Sequence, residues 1–258
     1  METNHTYYDF EKSRSRIDEI LDESDKSFEE LDSIPSRDKL TYKNGFYVNC
    51  TALFVDIRDS SILPTKHKRP ALAKIYRSYI SEVVAVMNGN LNCKEIEIDG
   101  DCISGIYNTP SKADIDSVFN NAYTISSILR ILNCKFEKRG IENINIGIGI
   151  DYGRALMIKA GYNGSGLNKV VWMGDVVNSA SNLCNKANKG WDSNEIFVSE
   201  DIFNNLNEQN QKLLSWNQKN SCYHGDVINT GMEEWYQNNC TNKNNSNQGL
   251  GLAQWQIH

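Results

Sequence analysis

The middle of the chain alternates between apolar runs and amphipathic stretches. Residues 47–57 (YVNCTALFVDI) are β-rich, and their second half is almost wholly apolar, as in a strand covered on both faces. Pro70 then precedes a stretch reaching about residue 87, in which Leu72, Ile75, Tyr79 and Val83 share one helical face. Residues 94–107 hold two β-like runs around the step Asp99-Gly100, a hairpin signal. A second long helix fits 113–139 and ends near Gly140. Residues 145–158 read as two strands around a turn at Asp151-Tyr152-Gly153. The order strand, helix, strand, strand, helix, strand predicts an α+β fold, a ferredoxin-like (split βαβ) palm with helices packed on one face of a mainly antiparallel sheet. A Gly-rich loop at 161–166, a strand at 170–172, a helix over about 175–188 and a strand-helix pair at 196–206 complete the pattern.

The flanks differ from this block. Residues 1–45 form a charged, partly helical extension, with Phe10, Ile17, Leu21 and Phe28 near helical spacing. Residues 46–237 make the compact domain. Residues 238–258 are rich in Asn, Gln and Gly and predict a flexible tail.

Composition narrows the partners. The formal net charge is -6, so no surface for nucleic acid or an anionic membrane is expected, although a local metal site overrides a global field. No apolar run is long enough to span a membrane, and residues 1–10 are too polar for a signal peptide. Seven cysteines at irregular spacing, with no CxxC pair, argue against a disulfide framework or a structural zinc site. Free thiols and a cytoplasmic location are expected.

Two aspartates carry the candidate chemistry. Asp56 sits in the apolar run Leu53-Phe54-Val55-Asp56-Ile57, where an unpaired carboxylate is strongly penalised. It reads either as a metal ligand or as a strand-end cap. Asp101 follows the Asp99-Gly100 turn. In a split βαβ sheet that hairpin adjoins the first strand, so the two carboxylates can meet over one edge and hold oxygen-ligated divalent ions for a phosphate-bearing substrate. The strand-to-helix loop at 58–61 offers backbone N–H groups for phosphate, with Arg58, Ser60 and Ser61 beside them.

Three segments resemble the signatures of class III adenylate and guanylate cyclases: Phe54-Val55-Asp56-Ile57-Arg58, Asp99-Gly100-Asp101, and Trp172-Met173-Gly174-Asp175-Val176-Val177-Asn178-Ser179-Ala180-Ser181. The resemblance implies a nucleotide cyclase using two divalent ions, Mn²⁺ or Mg²⁺. Asp56, Asp101 and the backbone carbonyl of Ile57 would serve as ligands, and Asn178 would position the ribose. It also implies a homodimer with active sites at the subunit interface, where one chain supplies the aspartates and the other the Asn178 helix.

Some positions depart from the purine cyclases. Glu97 and Val171 stand at the base-selecting pair, and ionised Glu97 can only accept hydrogen bonds, from uracil, cytosine or guanine. Asn182 replaces the usual transition-state Arg, and Thr230 aligns loosely with the usual phosphate-binding Lys. Lys186, Lys189, Lys159, Lys169 and Arg154 are the candidate replacements for those cations. With these departures the chain most resembles the bacterial pyrimidine cyclases of Pycsar antiphage systems. That implies conversion of UTP or CTP to a cyclic monophosphate that activates a separate effector protein. A guanylate cyclase, favoured by Glu97, and an inactive cyclase-fold dimerisation module are the alternatives.

Overall fold

The computed structural model describes residues 2–66, 69–190 and 193–241. Helix α1 (Phe10–Leu21) opens the chain, capped by the Asp9 side chain, and none of its residues is buried. Strand β1 (Phe28–Leu31) follows and pairs in parallel with the start of β2 (Gly45–Ile57). The sequence pattern gave no sign of β1, because four residues are too few to show alternation.

Next come the short α2 (Leu63–Lys66), α3 (Arg69–Asn88), the hairpin β3 (Cys93–Asp99) and β4 (Cys102–Tyr107), α4 (Lys112–Glu137) and β5 (Ile146–Tyr162). This is the expected split βαβ core, with β2 lying between β4 and β5. A Ser111/Asp114 capping box starts α4. The chain continues through β6 (Leu167–Met173), α5 (Asp175–Lys186), β7 (Ile196–Val198), α6 (Glu200–Asn205), α7 (Glu208–Gln211), β8 (Ser215–Asn217), β9 (Cys222–Gly225) and α8 (Thr230–Asn239). The sheet runs β3-β4-β2-β5-β7-β9-β8, and it is antiparallel except at β1·β2 and β5·β7.

Residues 145–158 do not turn at Asp151-Tyr152-Gly153. They belong to one long strand, β5, with Asp151, Tyr152 and Gly153 opposite Ala52, Thr51 and Cys50 of β2. The turn comes instead in the Gly-rich stretch, where Gly161, Gly164 and Gly166 all have positive φ and where β5 reverses into β6. Full pairing with β2 outweighs the local turn propensity of an Asp-Tyr-Gly step.

Alternation along β2 builds two cores. Leu53, Val55 and Ile57 face α3 and α4, joined by Ile75, Tyr79, Val83 and Met87 of α3. Cys50 and Ala52 face the other side, where Val176 and Ala180 of α5 cover them. The two long helices share one face as expected, whereas α5 lies on the opposite one. Its amphipathic stripe has small residues where it meets the sheet, and β5 offers glycines there.

At the far end, Cys134 of α4 and Cys240 just beyond α8 form a disulfide with Cα atoms 5.8 Å apart. The expectation of free thiols throughout is corrected here. The partners are 106 residues apart in sequence, and only the side-by-side packing of α4 and α8 brings them together. Residues 238–239 of the expected tail complete α8, and 242–258 lie outside the described residues.

Helix α5 approaches β5 unusually closely. A Cβ on Gly149 would stand 2.1 Å from the Cys184 nitrogen and 2.2 Å from the Ala180 oxygen. These are backbone atoms and cannot swing aside. Gly149→Ala is therefore expected to lower stability by about 2 kcal/mol or more, seen as a lower urea midpoint at unchanged m-value.

Candidate active site

Asp56 projects from the end of β2 on the α5 side of the sheet. Asp101 sits in the β3–β4 turn, where Gly100 takes φ 65°. The buried Tyr79 hydroxyl donates to the Asp101 backbone oxygen at 3.0 Å and fixes the turn over α3. Burial pushes the Asp56 carboxyl above its ordinary range, and the nearby Asp101 charge pushes the same way, opposed by Arg58 and Lys189. Oδ2 of Asp101 is buried with no hydrogen-bond partner. Burial and these carboxylates push the neighbouring Cys102 thiol up to about 12, so it stays protonated.

Two half-buried carboxylates with an orphaned oxygen are a poor arrangement for protein alone and a good one for a hard divalent cation. Among the described residues no cluster of three or more His, Cys, Asp or Glu could hold a metal. A cation here would draw its remaining oxygens from the backbone, water or substrate, as Mg²⁺ commonly does beside phosphates.

The loop at 58–61 begins with Asp59 in the left-handed region (φ 54°), followed by a 3₁₀ turn at Ser60–Ile62. This left-handed then right-handed sequence forms a concave run of backbone N–H groups, with Ser61 exposed and Ser60 half-buried. Arg58 is elsewhere than expected. It is buried, turned inward against Asp56 and the end of α5, and does not extend over the loop.

Glu97 and Val171 come together in a cleft of about 330 Å³ on the same sheet face as Asp56, with Phe54, Ser181 and Trp172 also in its walls. Glu97 forms an ion pair with Lys169, and both side chains are about half exposed. Tyr47, on the neighbouring β2, is not among the cleft residues. Its ring lies under the Arg154 guanidinium, 3.8 Å from the centroid, so Phe54 and Trp172 are the aromatic walls.

Asn178, Asn182 and Lys186 follow one another at four-residue intervals and are exposed on the outer face of α5. Several candidate replacement cations are already engaged. Arg154 is bonded to Glu30 at 2.8 and 3.2 Å, Lys159 lies over Tyr42, and Lys169 holds Glu97. Lys189, rather than Lys186, is the lysine whose charge reaches Asp56. Thr230 begins α8 beside α4, behind the Asn229 cap. Sequence reasoning missed Tyr79 and the inward course of Arg58. Each looks like an ordinary core or surface residue until the hairpin and α5 are placed.

Residues 43–231 match the family model described as adenylate and guanylate cyclase catalytic domain. The chain is 38% identical over 258 residues to a uridylate cyclase of Gulbenkiania mobilis, covering 95% of this chain and 100% of that one. It is 37% identical over 232 residues to a uridylate cyclase of Treponema porcinum, covering 88% and 80%. Among solved structures, the adenylyl cyclase CyaB from P. aeruginosa superposes with a TM-score of 0.58 at 19% identity, covering 67% of this chain and 85% of that one, a likeness of fold.

The strained carboxylate pair yields a test without nucleotide. In Asp101→Asn the amide can donate to Asp56 and removes one of two like charges. In EDTA its thermal midpoint is expected to rise by a few degrees. Added Mn²⁺ should stabilise the wild type and leave the variant unchanged, as followed by scanning calorimetry.

Proposed function

The chain belongs to the adenylate and guanylate cyclase catalytic-domain family, and on that footing we propose that it is a pyrimidine nucleotide cyclase. It converts UTP, or CTP, to the 3′,5′-cyclic monophosphate and diphosphate. The 3′-oxygen attacks the α-phosphorus, and the bond to the β-phosphate oxygen breaks. The observation that carries this reading is the meeting of Glu97 and Val171 in one cleft, on the sheet face that also bears Asp56. The names of the relatives at 37–38% identity point the same way.

Each residue has a task. Asp56, Asp101 and the Ile57 carbonyl would hold two divalent ions, Mg²⁺ or Mn²⁺. When bound, such ions neutralise phosphate charge and make the 3′-hydroxyl easier to deprotonate. Glu97 accepts the uracil N3–H, Lys169 keeps it directed into the cleft, and Val171 forms an apolar wall. Asn178 holds the ribose, while Ser60, Ser61 and their backbone N–H groups receive the phosphates, with Lys186 or Lys189 supplying positive charge. Because Asn178 faces outward on α5, the complete site is built by two copies related by a two-fold axis. The resemblance to antiphage pyrimidine cyclases extends the proposal: the enzyme works in the cytoplasm during phage defence, and its cyclic product activates a separate effector protein.

With all four triphosphates at equal concentration and Mn²⁺ present, cyclic UMP or cyclic CMP is expected to dominate, and Glu97→Ala should erode that preference. Mass spectrometry of the products decides. Dominant cyclic GMP would establish the guanylate cyclase reading instead, and no product from any triphosphate would mark an inactive module.

The shared site has its own test. Asp56→Ala and Asn178→Ala should each be inactive, and their mixture should regain about one working site per heterodimer, since each variant spoils a different half. Heterodimers that form yet stay inactive would rule out the shared site.

A further inference from the structure

Arg58 is the buried arginine of the described residues, with its side chain only 5% exposed. A guanidinium in such a place is tolerated when its charge is answered and its N–H groups are bonded. The charge is answered by Asp56 and both Nη groups are bonded, from two directions, while Nε is buried without a partner. Nη2 donates to Asp56 Oδ2 at 2.9 Å and to the Asp56 backbone oxygen at 3.1 Å. Nη1 donates to the carbonyls of Cys184, Asn185 and Ala187 at 3.1, 3.2 and 3.4 Å. Those carbonyls cluster at the C-terminal end of α5, the negative end of the helix dipole, where Cys184 O also accepts from the Ala187 N–H at 3.2 Å. One side chain thus joins a carboxylate to a helix terminus.

The sheet is shaped to admit it. A Cβ on Gly147 would come within 2.8 Å of the Cys184 oxygen, 2.9 Å of the Ala187 oxygen and 3.0 Å of the Arg58 Cζ. The Cys184 thiol also donates to the Gly147 oxygen at 3.1 Å.

We propose that Arg58 is a positioning residue: it fixes the Asp56 carboxylate against the C-terminal end of α5, so that Oδ2 is committed and the carboxylate is oriented toward Asp101 before any cation arrives. This rests on the metal reading of Asp56 and Asp101. It assigns Arg58 to orientation and not to phosphate. The effect depends on the planar fork of the guanidinium, which reaches two groups at once; a lysine brings the same charge without that geometry.

Arg58→Lys therefore separates orientation from charge. Mn²⁺ binding to nucleotide-free protein is measured by the electron paramagnetic resonance signal of free Mn²⁺, alongside melting curves and steady-state kinetics. The lysine variant is expected to fold and to bind Mn²⁺ about tenfold more weakly, in line with outer partners of metal ligands. The nucleotide KM at saturating Mn²⁺ should stay within about twofold. If the lysine variant does not fold, Arg58→Gln carries the same measurement, because its amide can still donate to the helix end. Mn²⁺ affinity equal to or tighter than wild type in a folded variant would overturn the proposal and leave the metal site standing. A raised nucleotide KM with unchanged Mn²⁺ affinity would return Arg58 to the phosphates. Wild-type protein that binds no Mn²⁺ would overturn both readings at once.

Discussion

The site depends on holding two negative carboxylates at one edge of a sheet without letting them push it apart. Coulomb repulsion between half-buried charges is far stronger than in water, and burial adds its own penalty to each. The surroundings answer with a buried arginine from the next turn of chain, the hydroxyl of Tyr79 pinning the hairpin backbone, and thiols that remain neutral. What is left unanswered is a buried oxygen of Asp101, along with the buried Nε of Arg58. An unanswered carboxylate oxygen of this kind suits a hard divalent cation, and it arises from geometry and not from an excess of ligands.

The rest of the electrostatics is organised in pairs. The net charge is negative, yet the site calls for a triphosphate, so positive charge must be local. Most of the basic residues near the hairpin arm are already matched to an acid or an aromatic ring. Lys169 shows how such a pair can still serve recognition. It is paired with the half-exposed acceptor Glu97 in a cleft that Glu95 and Asp99 also line, and an acceptor left unpaired discriminates against a base that cannot donate to it.

Much of this could be read from the sequence. The 47–57 run, the Asp99-Gly100 step and the 3.6-residue period in α3 gave the split βαβ core. They also gave the neighbourhood of Asp56 and Asp101, because strand order in that motif fixes which elements adjoin. Three kinds of feature were hidden. Short elements such as β1 and β8 carry too few residues for a pattern. The Asp151-Tyr152-Gly153 step kept its turn-like letters while thirteen register pairs with β2 held it straight. Arg58 looked like a loop cation because nothing local announces that a helix end 126 residues later will stand behind it.

Strand β5 runs from Ile146, with Gly147 under the end of α5, past the whole length of β2 to Tyr162 at the hairpin turn, and β6 returns from there with Val171 and Lys169. It works as a ruler. The span between its two ends is set by residue count, at about 3.3 Å each, and one residue more or less would turn every later side chain to the other face. Between Gly147 and Ile158, opposite Val171, the chain therefore has little freedom to vary in length. Length can change at the hairpin tip, where glycines already absorb the reversal. New base preferences are then most readily reached by exchanging side chains on the returning arm, while the end that handles charge keeps its dimensions.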